Sequence, residues 1–257
     1  LPKMQFIFLF SIIPYILDFL LIWSYPNSLN QPIETILSIK KFFQYSIIQL
    51  KNIFTRKSLQ KVVVSSSLFN GIFKVLKDYI QPILKDLILV SGIYVVSTLN
   101  STDQLKIILG LIYGLIYIFS SLVSRNIYRL NVRFKSDRLM DISFDLLSLV
   151  FFVMFLAIKA KIMLAVILLY FFIHFLRDGR KPLSIDVFGD YMEQNERATV
   201  LSIESQATSF FMIVLAPLFG YIADRLNIAT LFLIIGFSIL ILNRFLRVER
   251  RKEIQKS

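Results

Sequence analysis

The chain alternates between long, nearly continuous apolar stretches and short gaps that carry most of its charge. A helix that crosses a bilayer needs about 20 consecutive, mostly apolar residues. Seven stretches are interpreted as such helices, at residues 4–25, 60–84, 105–130, 139–158, 162–176, 198–222 and 229–246. Residues 87–98 are apolar but too short to span, so we interpret them as a helix extension or a re-entrant segment. The alternation predicts an all-α fold, a polytopic transmembrane helix bundle.

Composition excludes several other classes of protein. With 56% hydrophobic and 18% charged residues, and a mean hydropathy of +0.68, the chain is more apolar and less charged than a soluble domain. Its net charge of +12 is dispersed between apolar stretches, which argues against a nucleic-acid partner. The sequence has no cysteine and one histidine, which excludes disulfides, Cys-based metal or redox sites and a His-rich zinc site. It also holds no phosphate-binding glycine loop, nucleophile elbow or carboxylate cluster, so we expect neither an enzyme nor a cofactor.

The basic residues are distributed unevenly among the gaps, and this predicts an orientation. Of the 29 Lys and Arg residues, 21 lie in or at the edges of the gaps after the first, third and fifth stretches or in and just before the C-terminal tail, whereas six lie in or at the edges of the other gaps or before the first stretch. The remaining two, Lys74 and Lys77, lie inside the second stretch. Cytoplasmic loops retain an excess of lysine and arginine. We therefore expect a cell-membrane protein whose C-terminus is cytoplasmic and whose first residue lies outside.

The stretches and gaps define four parts of the chain. These are a first membrane helix (residues 1–25), a cytoplasmic connection (26–58), a six-helix bundle (59–246) and a basic cytoplasmic tail (247–257). Within the connection, apolar residues from Phe43 to Phe54 recur with helical spacing, and lysines lie on another face. This predicts an amphipathic helix on the inner membrane surface. A linker helix packed on the protein surface explains the pattern equally well.

Polar residues inside the predicted membrane helices are the candidate functional residues, because a charge at mid-bilayer is costly and usually faces a cavity or a partner. The second stretch carries a polar stripe at three- and four-residue spacing, formed by Asn70, Lys74, Lys77, Asp78 and Gln81. Lys74 and Asp78 are spaced i, i+4 and are predicted to pair. We interpret the stripe as the lining of an aqueous substrate pathway. A structural ion pair between helices, or lysines that extend to the membrane interface, is the alternative.

Four further residues are candidates for such a pathway or for its coupling. His174 lies late in the fifth stretch, one turn after Tyr170, and an imidazole that titrates near neutral pH suits proton coupling. Glu204 in the sixth stretch and Asp18 in the first are candidate intramembrane carboxylates. His174 has a structural alternative, as a hydrogen-bonded residue of the bundle. Glu204 could instead cap a helix or pair with a cytoplasmic basic residue.

Small residues in two stretches are explained by helix packing alone. Gly110 and Gly114 form a small-xxx-small pair in the third stretch, which predicts close contact with a neighbouring helix. Pro217 and Gly220 in the sixth stretch predict a kink or a packing notch. Neither pair is interpreted as a functional site.

Three segments in the C-terminal half carry a resemblance to a known family. Residues 177–182 read RDGRKP, residues 197–202 read RATVLS and residues 217–225 read PLFGYIADR. A basic loop, then RAT-x-x-S, then PL-x-G-x-x-AD at the end of a helix resembles the C-terminal half of drug-exporter-like transporters of the major facilitator superfamily. The family's best signature, in the loop between its second and third helices, is not in this sequence. Residues 124–129, in the corresponding loop of this half, match it weakly at most.

The resemblance implies two six-helix halves around a central cavity, working by alternating access. The seven stretches would correspond to helices six to twelve, so that this C-terminal portion would need the preceding helices of the same protein. The family's seventh and tenth helices commonly face the cavity, which matches the stretches that hold Lys74, Asp78 and His174. The implied function is secondary active transport of a small-molecule substrate in the lipid bilayer, coupled to an ion, with protons as the candidate.

Two other classes of protein share part of this pattern. A seven-helix receptor has the same predicted topology. The long basic connection after the first stretch, the lack of cysteine for outer disulfides and the lack of a mid-helix lysine in the last stretch argue against a receptor or photoreceptor. A membrane-embedded enzyme or assembly factor would need an acid/base constellation, which the sequence does not offer.

Overall fold

A computed structural model of the chain describes residues 2–26, 48, 51, 55–91, 101–131, 134–192 and 196–247. The regular structure in these residues is helical, with no strand among them, so the all-α prediction is confirmed. The helices are α1 (Pro2–Trp23), α2 (Lys57–Leu76), α3 (Ile80–Ser91), α4 (Ser101–Asn131), α5 (Ser136–Lys159), α6 (Met163–Tyr191), α7 (Arg197–Arg225) and α8 (Ile228–Leu246), with a 3₁₀ turn at Lys77–Tyr79 between α2 and α3. The predicted amphipathic helix in the connection and the basic tail after Arg247 lie largely outside the described residues.

The chain divides into two units, Leu1–Tyr45 and Ser46–Ser257. The first unit contains α1, which also carries the candidate carboxylate Asp18. The second unit contains α2 to α8, and the packing and the site described below lie within it.

Four helices are long and apolar enough to cross a membrane, namely α4 over Asp103–Ile127 and the whole of α5, α7 and α8. Their outer faces present large apolar side chains; Ile213 on α7 and Phe245 on α8 are each 73% exposed. A helix with so much exposed apolar surface is suited to contact with lipid rather than water. The chain is therefore a helical, multi-pass membrane protein.

Two apolar clusters form the core of the second unit. The larger cluster joins residues of all the helices from α2 to α8 around the fully buried rings of Phe144, Phe151 and Phe232. The smaller cluster surrounds Leu59 and Val200, near the ends at which α2 and α7 begin. Between the two clusters, the α2 sequence places a buried polar segment, which is where the candidate site lies.

Two glycines allow pairs of helices to approach closely. A Cβ atom on Gly71 of α2 would lie 2.9 Å from the Cβ of Phe211 on α7, so any side chain there would push the two helices apart. Gly236 of α8 sits against α5 in the same way, and its carbonyl accepts a hydrogen bond from Ser148 Oγ at 2.7 Å. By contrast, a Cβ atom on Gly110 or Gly114 would meet no atom within 4 Å in the described structure, so the close packing predicted for that pair is not formed there.

The second predicted span is interrupted rather than continuous. The α-helix gives way to a 3₁₀ turn at Lys77–Tyr79 before α3 begins. Pro82 explains the position of this turn, because proline has no N–H and cannot donate to the carbonyl four residues earlier, that of Asp78. The N–H of Ile80 bonds to that carbonyl instead. A short 3₁₀ stretch inside a long helix often marks a hinge or local strain.

The basic segment 177–182, predicted to be a loop, is helical. Helix α6 runs from Met163 to Tyr191 without interruption and contains Pro182 in its interior. It therefore extends well past the predicted fifth span, which ends at residue 176. The arginines and lysine that were assigned to a cytoplasmic gap instead line the interior and the edge of the bundle.

Candidate functional site

Glu204 of α7 is held by three polar side chains of α2. Its Oε1 atom accepts hydrogen bonds from Ser66 Oγ at 3.0 Å and from Asn70 Nδ2 at 2.9 Å. Its backbone carbonyl accepts another from Ser67 Oγ at 3.0 Å. Such short side chains reach across because Gly71 lets α2 and α7 approach closely. These three contacts fix the position of Glu204 against α2.

Arg180 of α6 is buried between helices, with only 3% of its surface exposed. It donates three hydrogen bonds, to the carbonyl of Met140 at 2.7 Å, to Ser143 Oγ at 2.9 Å and to Ser65 Oγ at 2.7 Å. Met140 and Ser143 lie on α5 and Ser65 lies on α2, so a single guanidinium links three helices. This planar, five-donor geometry is what allows arginine, and not lysine, to satisfy several acceptors at once.

The same guanidinium lies between two aromatic rings. Its central carbon is 4.5 Å from the ring centroid of Phe69 and 4.9 Å from that of Phe144. The carboxylates of Asp141 and Glu204 interact with it electrostatically. The negative ring faces and these two carboxylates together offset the cost of burying a cation.

A polar cavity of about 290 Å³ opens beside Glu204, between α2, α6 and α7. Three cationic residues and one carboxylate contribute to its wall, together with hydroxyl and amide side chains. The lining consists of Asn70, Lys74, Arg177, Lys181, Ser184, Ile185, Phe188, Leu201, Glu204, Ser205 and Thr208. The cavity lies beside the second halves of α2 and α6 and the first half of α7.

The three cations of the cavity are partnered to different degrees. Arg177 forms an ion pair with Asp178 at 2.5 Å and lies 5.2 Å from the ring centroid of Phe73. Within the described part of the chain, Lys74 and Lys181 form no ion pair. The wall therefore has more positive than negative charge.

The polar stripe predicted on the second span is divided between two environments. Asn70 and Lys74 line the cavity, whereas Lys77, Asp78 and Gln81 are exposed at and after the 3₁₀ turn. The predicted Lys74–Asp78 pair is wrong, because Asp78 pairs with its neighbour Lys77 at 4.0 Å. The interruption at Lys77–Tyr79 changes the helical phase on which the i, i+4 prediction depended. Gln81 makes a side-chain hydrogen bond to Tyr113 of α4.

Tyr170 and His174 pack against α2 beneath the cavity. The Tyr170 hydroxyl donates to the carbonyl of Leu76, the last residue of α2, at 3.2 Å. His174 is buried, and its ring meets that of Phe73 edge-on at 4.8 Å between centroids. Of the eight predicted site residues, three therefore share the cavity, and these two support the helix beside it.

Sequence reasoning missed the three basic residues of α6 and the serines of α2. Arg177, Arg180 and Lys181 were assigned to a loop because the predicted span ends at residue 176 and the family resemblance places a basic loop there. The signal that would have found them is the apolar spacing that continues at Leu183 and beyond, which indicates that the helix does not end at residue 176. Three consecutive serines in an apolar span, residues 65–67, were the corresponding signal on α2.

No family model, curated protein or solved structure matches this chain in comparisons with known proteins. Among the described residues, no group of three or more His, Asp or Glu side chains is placed to hold a metal ion. The site is therefore characterised by its own geometry, as a polar, predominantly cationic cavity inside a bundle of apolar helices.

Proposed function

We propose that this chain is part of a secondary active transporter of the major facilitator type, and that α2, α6 and α7 line its substrate pathway. In this proposal the protein resides in the cell membrane with its C-terminus in the cytoplasm, and the helices correspond to helices six to twelve of the family. The family assignment rests on the sequence segments 197–202 and 217–225, because residues 177–182 are helical and do not form the basic loop of the resemblance. The pathway assignment rests on the structure of the cavity.

The observation that carries the proposal is the cavity lined by Lys74, Arg177, Lys181 and Glu204. It lies in a bundle in which α4, α5, α7 and α8 are long and apolar enough to cross a bilayer, and α7 forms part of the cavity wall. Ionisable residues at membrane depth face a water-filled space or a partner, since exposure to lipid is costly. Lys74 and Glu204 lie inside predicted spans, and Arg177 and Lys181 share the same cavity wall. Four ionisable residues around one space support a route for a polar solute better than they support a purely structural role.

The interrupted helix supports the same proposal. Transporters commonly form their binding sites from helices that are broken near the middle of the membrane. Here the 3₁₀ turn at Lys77–Tyr79 follows Lys74 by three residues, and Tyr170 holds the carbonyl at the end of α2. A hinge at this point would let α3 move relative to the cavity wall while α2 remains anchored to Glu204 and Arg180.

For ion coupling, we propose that protons act through Glu204 in preference to His174. Glu204 lines the cavity and is hydrogen-bonded to α2, so its protonation would weaken the contacts between α2 and α7. His174 packs against an aromatic ring. Replacement of Glu204 by Gln should therefore remove the pH dependence of transport, whereas replacement of His174 by Gln should retain it.

The natural absence of cysteine allows a direct test of the pathway. Single Ser184→Cys and Ser205→Cys substitutions introduce thiols into the cavity wall, and Ser238→Cys introduces one on the exposed face of α8. In right-side-out and inside-out vesicles, a membrane-impermeant maleimide should label both cavity positions from both sides, as alternating access requires. The Ser238→Cys control should resist labelling from either side, because it faces lipid. Labelling of the cavity thiols from one side only, or from neither, would overturn the proposal.

A further inference from the structure

We infer that the cavity binds a small organic anion, a carboxylate or a phosphate monoester, through Lys74, Arg177 and Lys181. This inference specifies the substrate class of the pathway proposed above and rests on that proposal for its role in transport. The binding site itself stands on the charges and contacts of the wall.

The wall of the cavity carries more positive than negative charge. Three cationic side chains and one carboxylate line the cavity. Asp178 neutralises Arg177 in part. Glu204 does not serve Lys74 or Lys181 in an ion pair; its Oε1 accepts from Ser66 and Asn70. Glu204 also interacts electrostatically with the buried Arg180. The cavity wall therefore carries positive charge that the described residues leave uncompensated, and inside a membrane bundle such charge favours an anionic occupant.

Some hydrogen-bond donors of the wall are already used within the bundle. Two hydroxyls of the wall already donate to backbone carbonyls, Ser184 Oγ to Lys181 at 2.8 Å and Thr208 Oγ1 to Glu204 at 2.9 Å. The Asn70 amide donates to Glu204. The donors that remain for a bound molecule are chiefly the ammonium groups and the guanidinium. Such donors select carboxylate and phosphate oxygens, which accept charge-assisted hydrogen bonds.

The cavity is small and partly apolar. A volume of about 290 Å³ is at the lower end of small-molecule sites. Ile185, Phe188 and Leu201 form an apolar part of the wall. A small anion with a short apolar body would place its charged group near the lysines and its body against these side chains. An anionic lipid headgroup has the same charged chemistry, so the test separates the two sources.

The test uses the full chain carrying Ser205→Cys, in nanodiscs of zwitterionic phosphatidylcholine, and measures the rate of maleimide labelling. The probes are sodium phosphate and sodium benzoate, with choline chloride and glucose as matched cationic and neutral controls at equal ionic strength. At a probe concentration about ten times its Kd, labelling should slow roughly tenfold because the thiol is shielded. The controls should leave the rate unchanged.

Variants connect the protection to the proposed residues. Lys74→Gln and Lys181→Gln should each weaken protection by phosphate or benzoate, and the double variant should abolish it. Lys85→Gln, at an exposed lysine of α3 away from the cavity lining, should retain it. Circular dichroism and detergent unfolding confirm that each variant is folded before its rate is interpreted.

The outcomes separate the sources and the two proposals. Protection in phosphatidylcholine nanodiscs identifies a soluble anion as ligand. If labelling slows only when phosphatidylglycerol is added to the nanodiscs, the ligand is the phosphate of a lipid headgroup. Equal rates under all conditions, or equal protection by choline or glucose, would overturn the anion site. If the thiol is labelled from one side only but anions still protect it, the anion site is retained and the transport proposal is overturned. If the thiol is labelled from both sides but anions do not protect it, the transport proposal is retained and the anion site is overturned.

Discussion

The Ser124 hydroxyl of α4 donates a hydrogen bond to the backbone carbonyl of Asp178 on α6, with Oγ and O separated by 3.0 Å. That carbonyl lies four residues before Pro182, which has no N–H with which to complete the usual helical bond. In apolar surroundings an unpaired carbonyl is expensive, and serine hydroxyls from neighbouring helices commonly satisfy such groups. Ser124 therefore supplies the donor that allows α6 to continue through Pro182 and to carry Arg177, Arg180 and Lys181 along one helix.

This relationship predicts a non-additive pair of substitutions. Ser124→Ala should lower the free energy of unfolding by about 0.6–1 kcal/mol in the native background, because the Asp178 carbonyl loses its donor. In a Pro182→Ala background the same substitution should cost much less, since the N–H of residue 182 can then bond to that carbonyl. Unfolding of the four proteins in mixed detergent micelles gives the coupling energy. Equal losses in both backgrounds would show that the hydrogen bond does not compensate for the proline.

Arg180 should be far more sensitive to a lysine substitution than the nearby Arg177. Arg180→Lys retains the charge but loses the planar donor set that reaches Ser65 and Ser143, as well as the stacking on Phe69 and Phe144. We expect a loss of about 3 kcal/mol in unfolding free energy. Arg177→Lys, at a partly exposed ion pair on the same helix, should cost less than about 1 kcal/mol. Comparable losses at the two positions would contradict the assigned role of Arg180.

The glycines of α2 and α4 should respond oppositely to alanine. Gly71→Ala places a Cβ atom 2.9 Å from that of Phe211, so α2 and α7 must separate, at a cost of about 1–3 kcal/mol. Gly114→Ala meets no atom within 4 Å and improves helix propensity, so stability should be unchanged or slightly higher. Thermal unfolding of both purified variants in detergent provides the comparison. A stable Gly71→Ala protein would show that the helices can move apart freely.

Tyr170 should restrain the 3₁₀ turn. Tyr170→Phe removes the hydroxyl that donates to the Leu76 carbonyl and leaves the packing of the ring in place. A loss of about 1 kcal/mol at this point would raise amide hydrogen exchange around Lys77–Tyr79 roughly fivefold. Tyr117→Phe, at a ring that is 72% exposed on α4, is the matched control and should leave that exchange unchanged. No difference between the two variants would argue against a tyrosine-held hinge.

Pro82 and Pro182 show where helix limits predicted from hydropathy alone fail. The sequence predicted a continuous helix across Pro82 and a loop around Pro182, and the structure has an interruption at the first and a helix through the second. Each proline lacks the N–H that would otherwise bond to the carbonyl four residues earlier. The difference lies in what replaces it. At Asp78 the substitute is the nearby N–H of Ile80, which tightens the chain locally, whereas at Asp178 it is Ser124, from a different helix.

The sequence predicted which types of residue form the candidate site, but it identified only some of the residues that line the cavity. Asn70, Lys74 and Glu204 were recognised because polar groups in apolar spans stand out locally, and the structure brings them together around one cavity. The remaining residues of the stripe fall on the exposed side of the 3₁₀ turn. Arg180 could not be assigned from sequence, because its partner Ser65 lies 115 residues earlier and no local pattern connects them.

The sequence by itself determined that this is a helical membrane protein and gave the approximate limits of most helices, since hydropathy over about 20 residues is a local property. The sixth and seventh predicted spans, 198–222 and 229–246, agree closely with α7 (Arg197–Arg225) and α8 (Ile228–Leu246). Only the tertiary structure decided which polar side chains meet, which proline interrupts a helix and where uncompensated charge accumulates. These outcomes depend on donors and acceptors from different helices, such as Ser124 and Asp178, or Asn70 and Glu204. The contact between Asn70 and Glu204 requires Gly71 to bring α2 against α7.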